Sequence, residues 1–216
     1  MLEKMGEFFD KRLDEYEAHQ LNCIDSAREF YTYTARCLPM DSGCRIIDLG
    51  CGTGLELDEY FRLNPSAKVT GIDLAPGMLN RLREKYGDKE LTLILGSYFD
   101  VPFGTEKFDA AVSVESLHHF TADEKIPLYE KLQKSLKTNG YFILTDYFSL
   151  TDEEEKFHRK ELLRLKAEQS IENNELYHYD TPLTVDHEVE CLLAAGFFSV
   201  EILNRWGATY TIKASR

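Results

Sequence analysis

The sequence predicts an α/β fold: a mostly parallel sheet covered by helices on both faces. Three observations lead there. Between residues 44 and 148, short apolar runs alternate with stretches of helical periodicity, the pattern of crossover units. The runs themselves are nearly continuous in apolar residues, as strands buried on both sides are. The first of them, in "IIDLGCGTG" (46–54), ends in an acid and breaks into three glycines at alternate positions. Side chains have been cleared from that turn, so something approaches its backbone closely.

Each element follows from its local pattern. Residues 7–19, "EFFDKRLDEYEAH", repeat Phe8, Phe9, Leu13 and Tyr16 near helical spacing. Residues 23–38 do the same with Ile24, Ala27, Phe30, Tyr31, Ala35 and Leu38, so two helices open the chain. "PMDSG" (39–43) punctuates. "CRIIDLG" (44–50) is the first strand, "LELDEYFRL" (55–63) a helix, "KVTGIDL" (68–74) the second strand and "PGMLNRLREKY" (76–86) the next helix. "LTLILG" (91–96) and "FDAAVSVES" (108–116) are the third and fourth strands, joined through "VPFGTEK" (101–107). "EKIPLYEKLQKSL" (124–136) is a helix despite Pro127 near its start, and "GYFILTDYF" (140–148) is the fifth strand.

The pattern then changes. Thr151 and Glu154 form a capping-box signature that opens a long charged helix to about residue 172, with a thin apolar stripe of Phe157, Leu162 and Leu165. "NNELYHYDTPLT" (173–184) is an aromatic-rich loop, and "VDHEVECLLAAG" (185–196) a helix stopped by Gly196. "FFSVEILNRWGATYTIKAS" (197–215) reads as two strands around "NRWG", an antiparallel pair. One domain is expected: an N-terminal helical cap over 1–40, a core over 44–148, a helical lid insertion over 149–184, and a helix with a strand pair over 185–216.

Composition narrows the function classes. The formal net charge is −13 and the basic residues are scattered among a larger number of acids, so the stripe that nucleic acid requires is missing. No apolar run approaches the roughly 20 residues of a spanning helix, and the first nineteen residues are too charged for a secretory signal. The five cysteines (Cys23, Cys37, Cys44, Cys51, Cys191) are odd in number and form no CxxC, which argues against a disulfide framework and against a zinc site. A reducing cytoplasm is the expected compartment, and a monomer or homodimer the expected state.

The glycine turn discriminates among ligands. A dinucleotide fingerprint is G-x-G-x-x-G, with a helix N-terminus facing pyrophosphate. In this chain the third glycine comes one place early, and Asp48 stands two residues before the first, an odd neighbour for pyrophosphate. The second strand ends in Asp73, which suits the two hydroxyls of a ribose. An NAD-dependent oxidoreductase on a similar sheet therefore stays as the alternative reading.

"IIDLGCGTG", "VTGIDLAPGML", "LILGSYFDVPF", "FDAAVSVESLHHF" and "LKTNGYFILTDY" occur in that order. The chain thereby resembles the class I S-adenosylmethionine-dependent methyltransferases of the small-molecule branch, over residues 44–148 and again in "LLAAGFFSVEIL". The resemblance implies a Rossmann-like, doubly wound sheet of seven strands with the last antiparallel. It implies S-adenosylmethionine as cofactor, held across the carboxyl ends of the first and fourth strands. By position, Gly50 and Gly52, with Asp48 and Cys51 of the same turn, belong to the methionine end. Asp73 belongs to the ribose, Leu74 and Met78 flank the adenine, Ser97, Tyr98 and Phe99 edge it, and Glu115 lies beside the sulfonium. Two departures stand out: Ser97 replaces the usual acid facing the adenine amino group, and Ala75 replaces the usual polar N-cap ahead of Pro76.

Cys51 is expected to be a small buried side chain rather than a reactive thiol. His118, His119 and Tyr147 are the candidates for catalysis, although adjacent histidines are not expected to face one site from a regular element, and no metal is expected from that spacing. Tyr16 is a candidate to close over the cofactor. His178, Tyr179 and Asp180 are candidates for substrate contact, and Phe120, Tyr147, Tyr177 and Tyr179 suggest an aromatic or partly apolar small-molecule acceptor. Methyl transfer needs a base only when the nucleophile holds its proton tightly. A non-catalytic module that binds the cofactor, and a tRNA or protein acceptor, are the other readings this sequence leaves open.

Overall fold

The computed structural model describes residues 1–173 and 175–216. Asn174, within the expected aromatic-rich loop, lies outside the described residues. The strands are β1 (Arg45–Leu49), β2 (Lys68–Asp73), β3 (Glu90–Leu95), β4 (Phe108–Val114), β5 (Leu136–Tyr147), β6 (Ser199–Trp206) and β7 (Thr209–Ser215). They form one sheet in the order β3-β2-β1-β4-β5-β7-β6, parallel from β1 to β5, with β7 antiparallel to both its neighbours. The doubly wound, seven-stranded expectation therefore holds. Strand periodicity explains the two cores. Ile47, Leu49, Ala111, Phe142 and Leu144 face one cluster, and Ile46, Ala110, Val112 and Ile143 face the other.

Eight helices cover the described sheet: α1 (Met5–Lys11), α2 (Leu13–Cys23), α3 (Ala27–Arg36), α4 (Leu55–Leu63), α5 (Pro76–Lys85), α6 (Ala122–Ser135), α7 (Asp152–Glu168) and α8 (Val185–Ala194). None is long and apolar enough to cross a membrane. α3 docks on the sheet through a buried chain of hydroxyls: Thr34 Oγ1 meets Thr145 Oγ1 at 2.5 Å, and Thr145 Oγ1 meets Thr211 Oγ1 at 2.8 Å.

The expected opening helix over 7–19 is two helices, broken at Arg12 (φ −108°, ψ 8°). The break leaves α1 free to cap α5. Ala75 offers no side-chain acceptor there, and Asp10 of α1 takes its place: the Gly77 N–H donates to Asp10 Oδ1 at 2.9 Å. The polar cap that the sequence lacks locally is supplied from a different element.

Other boundaries move for local reasons. α6 starts before residue 124 because Thr121 is its N-cap. The Glu124 carboxylate accepts from the Thr121 N–H and hydroxyl, each at 2.8 Å. At α7 the Thr151 hydroxyl accepts from the Glu154 N–H at 3.1 Å, but Glu154 Oε2 returns to the Leu150 N–H at 2.7 Å rather than to Thr151. α7 ends at Glu168, and its inner face is Glu155, His158, Leu162 and Leu165. Phe157, expected in that stripe, is 61% exposed. β5 starts at Leu136, which pairs with Phe108 across a register shift.

α6 and α8 are joined through a buried charge pair. Lys125 Nζ lies 2.5 Å from Glu188 Oε2, both side chains are inaccessible to solvent, and the Tyr129 hydroxyl donates to the other Glu188 oxygen. Removing one partner strands the other charge, whereas apolar replacement of both is tolerated far better. Lys125→Met is expected to destabilise the protein by about 3–5 kcal/mol in urea unfolding. Lys125→Met with Glu188→Leu should recover most of that loss; a double variant as unstable as the single would show that the charge pair is not the source.

Candidate active site

β1 and β4 are neighbours, yet their chains depart in opposite directions, one to β2 and the other to β5. In an open parallel sheet such a switch point leaves a crevice beyond the strand ends. Two cavities occupy it.

The first, about 40 Å³, lies over the glycine turn and is lined by Gly50, Gly52, Asp73, Leu74, Met78, Tyr98, Glu115, Ser116 and His119, and by Met5, Phe9 and Tyr16 from α1 and α2. Gly50 has φ +75°, and a Cβ there would fall 2.1 Å from Ser116 Oγ, so glycine is required twice over. Asp73 holds the turn to the end of β2: Oδ2 accepts the Gly52 N–H at 2.9 Å and Oδ1 the Ala75 N–H at 2.8 Å. Burial pushes the Asp73 carboxyl upward against those bonds. Glu115, at the tip of β4, sits at φ +49°, and burial together with the Asp146 carboxylate lifts it to about 8. Among the described lining residues there is no lysine or arginine, but there are two carboxyls. That wall suits a cationic, phosphate-free nucleoside and is wrong for pyrophosphate.

Asp48 and Cys51 do not line this cavity. Asp48 shares a strand face with Ile46, so it points beneath α4, where Glu56 meets it; Asp48 is 1% exposed. Burial and the neighbouring carboxyl raise Asp48 well above the ordinary carboxylate range, and Asp48 Oδ2, Glu56 Oε1 and Thr53 Oγ1 have no partner among the described atoms. Cys51 is buried with its sulfur against Gly71. Ser97 and Phe99 are also displaced from expectation. They open onto an adjoining groove of about 810 Å³, on the far side of Met5 and Leu74, and the Ser97 hydroxyl accepts the Phe99 N–H at 3.2 Å.

The second cavity, about 620 Å³, carries the histidines. β4 leads into a single 3₁₀ turn, Leu117–His119, and the rings of His118 and His119 lie 4.0 Å apart on the wall of this cavity. The expectation that adjacent histidines cannot share a site is thus overturned. Asp146, at the end of β5, holds the turn: Oδ2 accepts the Leu117 and His118 N–H groups at 2.8 and 3.0 Å, and Oδ1 meets His118 Nδ1 at 2.5 Å. Burial opposes a charge on His118, but the Asp146 carboxylate outweighs it and lifts the imidazole to about 9. Burial and the charge of His118 hold His119 below its ordinary value.

The loop after α7 completes the wall. The Thr181 N–H donates to His118 O at 2.8 Å, which sets Asp180 Oδ1 3.0 Å from His119 Nδ1 and 3.7 Å from His118 Nε2. The Tyr147 ring is tilted 46° against His118, with ring centroids 4.5 Å apart. His178 stacks on Phe8 at 3.5 Å, and burial lowers it to about 4. Phe120 is a core side chain, while Tyr177 and Tyr179 lie outside this cavity. The residues that sequence reasoning missed are Phe9, Ser116, Thr209 and Asp146 as a partner of histidine. Asp146 alone left a signal, as a lone acid ending an apolar strand.

Residues 46–140 match the family described as "Methyltransferase domain". Over those residues, and in its sheet order and turn, the chain is similar to the class I S-adenosylmethionine-dependent methyltransferases, and the carboxyl-lined, lysine- and arginine-free wall is compatible with S-adenosylmethionine as cofactor. The chain is 26% identical to the biotin biosynthesis bifunctional protein BioHC of Teredinibacter turnerae, over 88% of this chain and 37% of that one. It is 31% identical to the fatty-acid O-methyltransferase of Mycolicibacterium smegmatis, over 48% of this chain and 37% of that one. It thus spans well under half the length of these relatives. In fold it is similar to human N-acetylserotonin methyltransferase solved with S-adenosylmethionine, with a TM-score of 0.62 at 18% identity, over 96% of this chain and 59% of that one.

Gly50→Ala is expected to lower stability through two separable effects, about 1–2 kcal/mol from the left-handed backbone and about 1–3 kcal/mol from overlap with Ser116. Adding Ser116→Gly should restore only the overlap part in thermal melts. Full restoration, or none, would contradict the geometry of this turn.

Proposed function

We propose that the protein transfers the methyl group of S-adenosylmethionine to a small molecule held in the second cavity. The observation that carries this reading is that Phe9, Tyr16, Glu115 and His119 line both cavities, so cofactor and acceptor would meet there. When bound, the cofactor supplies a methyl group on a sulfonium, whose departing thioether is neutral. The chain's own part is alignment and exclusion of water. Gly50 and Gly52 let the nucleoside touch the backbone, Asp73 receives the ribose hydroxyls, and Glu115 faces the sulfonium end. His118, His119 and Tyr147 stand where the nucleophile of the acceptor would lie. The rings of Phe8, Phe9, His178 and Tyr147 on the wall support a planar or partly apolar acceptor. The fatty-acid O-methyltransferase among the relatives supports a small molecule as well.

The first cavity is far smaller than the roughly 300–1,000 Å³ of ordinary ligand pockets, and what narrows it comes from α1 and α2. α2 buries no residue, so it is weakly held and suited to lift. Entry of the cofactor would displace this pair of helices, which then close again through Tyr16. The free cysteines support a reducing compartment, the cytoplasm.

Calorimetry should register binding of S-adenosylmethionine and of its demethylated product but not of NAD; the reverse would favour an oxidoreductase. Asp73→Ala is expected to weaken cofactor binding by about 1–3 kcal/mol through lost charged hydrogen bonds, and unchanged affinity in a folded variant would remove the ribose assignment. His118→Asn should leave cofactor affinity intact while lowering turnover of any accepted small molecule by about 100-fold or more. Equal turnover by that variant would exclude His118 from the chemistry.

A further inference from the structure

His118 Nε2 and His119 Nδ1 approach one oxygen, Asp180 Oδ1, to 3.7 and 3.0 Å, and the three atoms lie within 4.8 Å of one another. That oxygen is buried and has no hydrogen-bond partner of good geometry among the described atoms, a costly state for a carboxylate. On its other side the His118 ring is held by Asp146 through Nδ1, so Nε2 is the nitrogen that faces the cluster, and an ion binding there takes the place of its proton. A histidine whose second nitrogen is gripped by a carboxylate is the recurrent outer arrangement of protein metal sites.

From these observations we propose that His118, His119 and Asp180 bind a divalent transition-metal ion of the zinc or ferrous class. Ligand distances of about 2.0–2.2 Å put two donors ~3.0 Å apart at a right angle and ~3.4 Å apart at the tetrahedral angle. The spacings of 3.0 and 3.7 Å therefore need only small adjustments. Two imidazoles and one carboxylate select such an ion over magnesium or calcium, which prefer oxygen alone. The surrounding charge agrees. Glu115, Asp146 and Asp180 converge on this cluster, while Arg12 on the cavity wall is already paired with Glu3 and stacked on Phe8. Positions left open on the ion would face the second cavity, so a hydroxyl or carbonyl oxygen of the acceptor would complete its shell; this part rests on the methyl-transfer reading.

Protein stripped with a chelator and titrated with Zn²⁺ against a chromophoric competitor should take up one ion per chain, and excess Mg²⁺ should not displace it. Asp180→Asn and His119→Ala should each weaken uptake by about tenfold or more, whereas His187→Ala, at an imidazole outside the cluster, should not. Asp180 is a half-exposed loop side chain, so Asp180→Asn covers the case in which His119→Ala fails to fold. Co²⁺ in place of zinc should give visible bands that shift on addition of acetohydroxamate; bands that do not shift overturn the acceptor-ligand part. No stoichiometric uptake by the folded parent chain, or undiminished uptake by a folded Asp180→Asn, overturns the site. Zinc uptake is read without cofactor, so failure of S-adenosylmethionine to bind the same samples would sink the methyl-transfer reading and leave the metal result standing.

Discussion

Asp146 closes β5 with both carboxylate oxygens occupied, by two backbone N–H groups of the 3₁₀ turn, by the His118 ring and by the Tyr147 N–H. It is 1% exposed, so an unpaired charge there would cost several kcal/mol. Burial raises its carboxyl, but the imidazole of His118 and the donated bonds win and hold it below its ordinary value. These bonds fix the course of the chain after β4. That course turns two adjacent histidines to the same side, and the His118 carbonyl then anchors the loop that carries Asp180. One carboxylate thus connects the sheet to the turn, the turn to the loop, and all three to the wall of the larger cavity.

The two halves of the crevice are built differently. The half over the glycine turn, proposed for the nucleoside, is backbone and carboxylates at strand ends, held by the bonds of Asp73 to Gly52 and Ala75. Rigid elements suit a ligand whose geometry must be kept. The half proposed for the acceptor draws on α1, α2 and the segment after α7; α1 and that segment pair with one another, the Met5 N–H donating to Leu176 O and the His178 N–H to Glu3 O, each at 2.9 Å. These parts bury little and depend on one another, so their hold on the sheet is weaker than that of the strand ends.

Beneath the glycine turn, Asp48 and Glu56 form a second buried constraint. Desolvation pushes both carboxyls up, and their mutual repulsion adds to it for Asp48, so the pair favours sharing a proton over carrying two charges. A neutral or half-neutral pair supports the turn from below without pulling a cation out of the cavity above. Asp48 thus lies under the turn rather than on the cavity wall, where the sequence had suggested contact with the ligand.

What the sequence by itself determined is whatever rests on nearest neighbours: the strands from their apolar runs, the helices from their period, the turn from glycines that alone tolerate its dihedral angles, and Asp73 at a strand tip. Gly50, Gly52, Asp73, Leu74, Met78, Tyr98 and Glu115, all singled out by local pattern, line the first cavity. What only the tertiary structure decided depends on partners far apart in the chain. Asp10 caps a helix some seventy residues away, Asp48 turns inward because strand parity points it under α4, and Ser97 is drawn off into its own local turn. His118 and His119 meet on one wall where a carboxylate from β5 grips the turn after β4 and the loop carrying Asp180 docks on it. Local pattern sets backbone periodicity, but the direction in which a polar side chain points is fixed by whichever distant donor or acceptor satisfies it once water has been excluded.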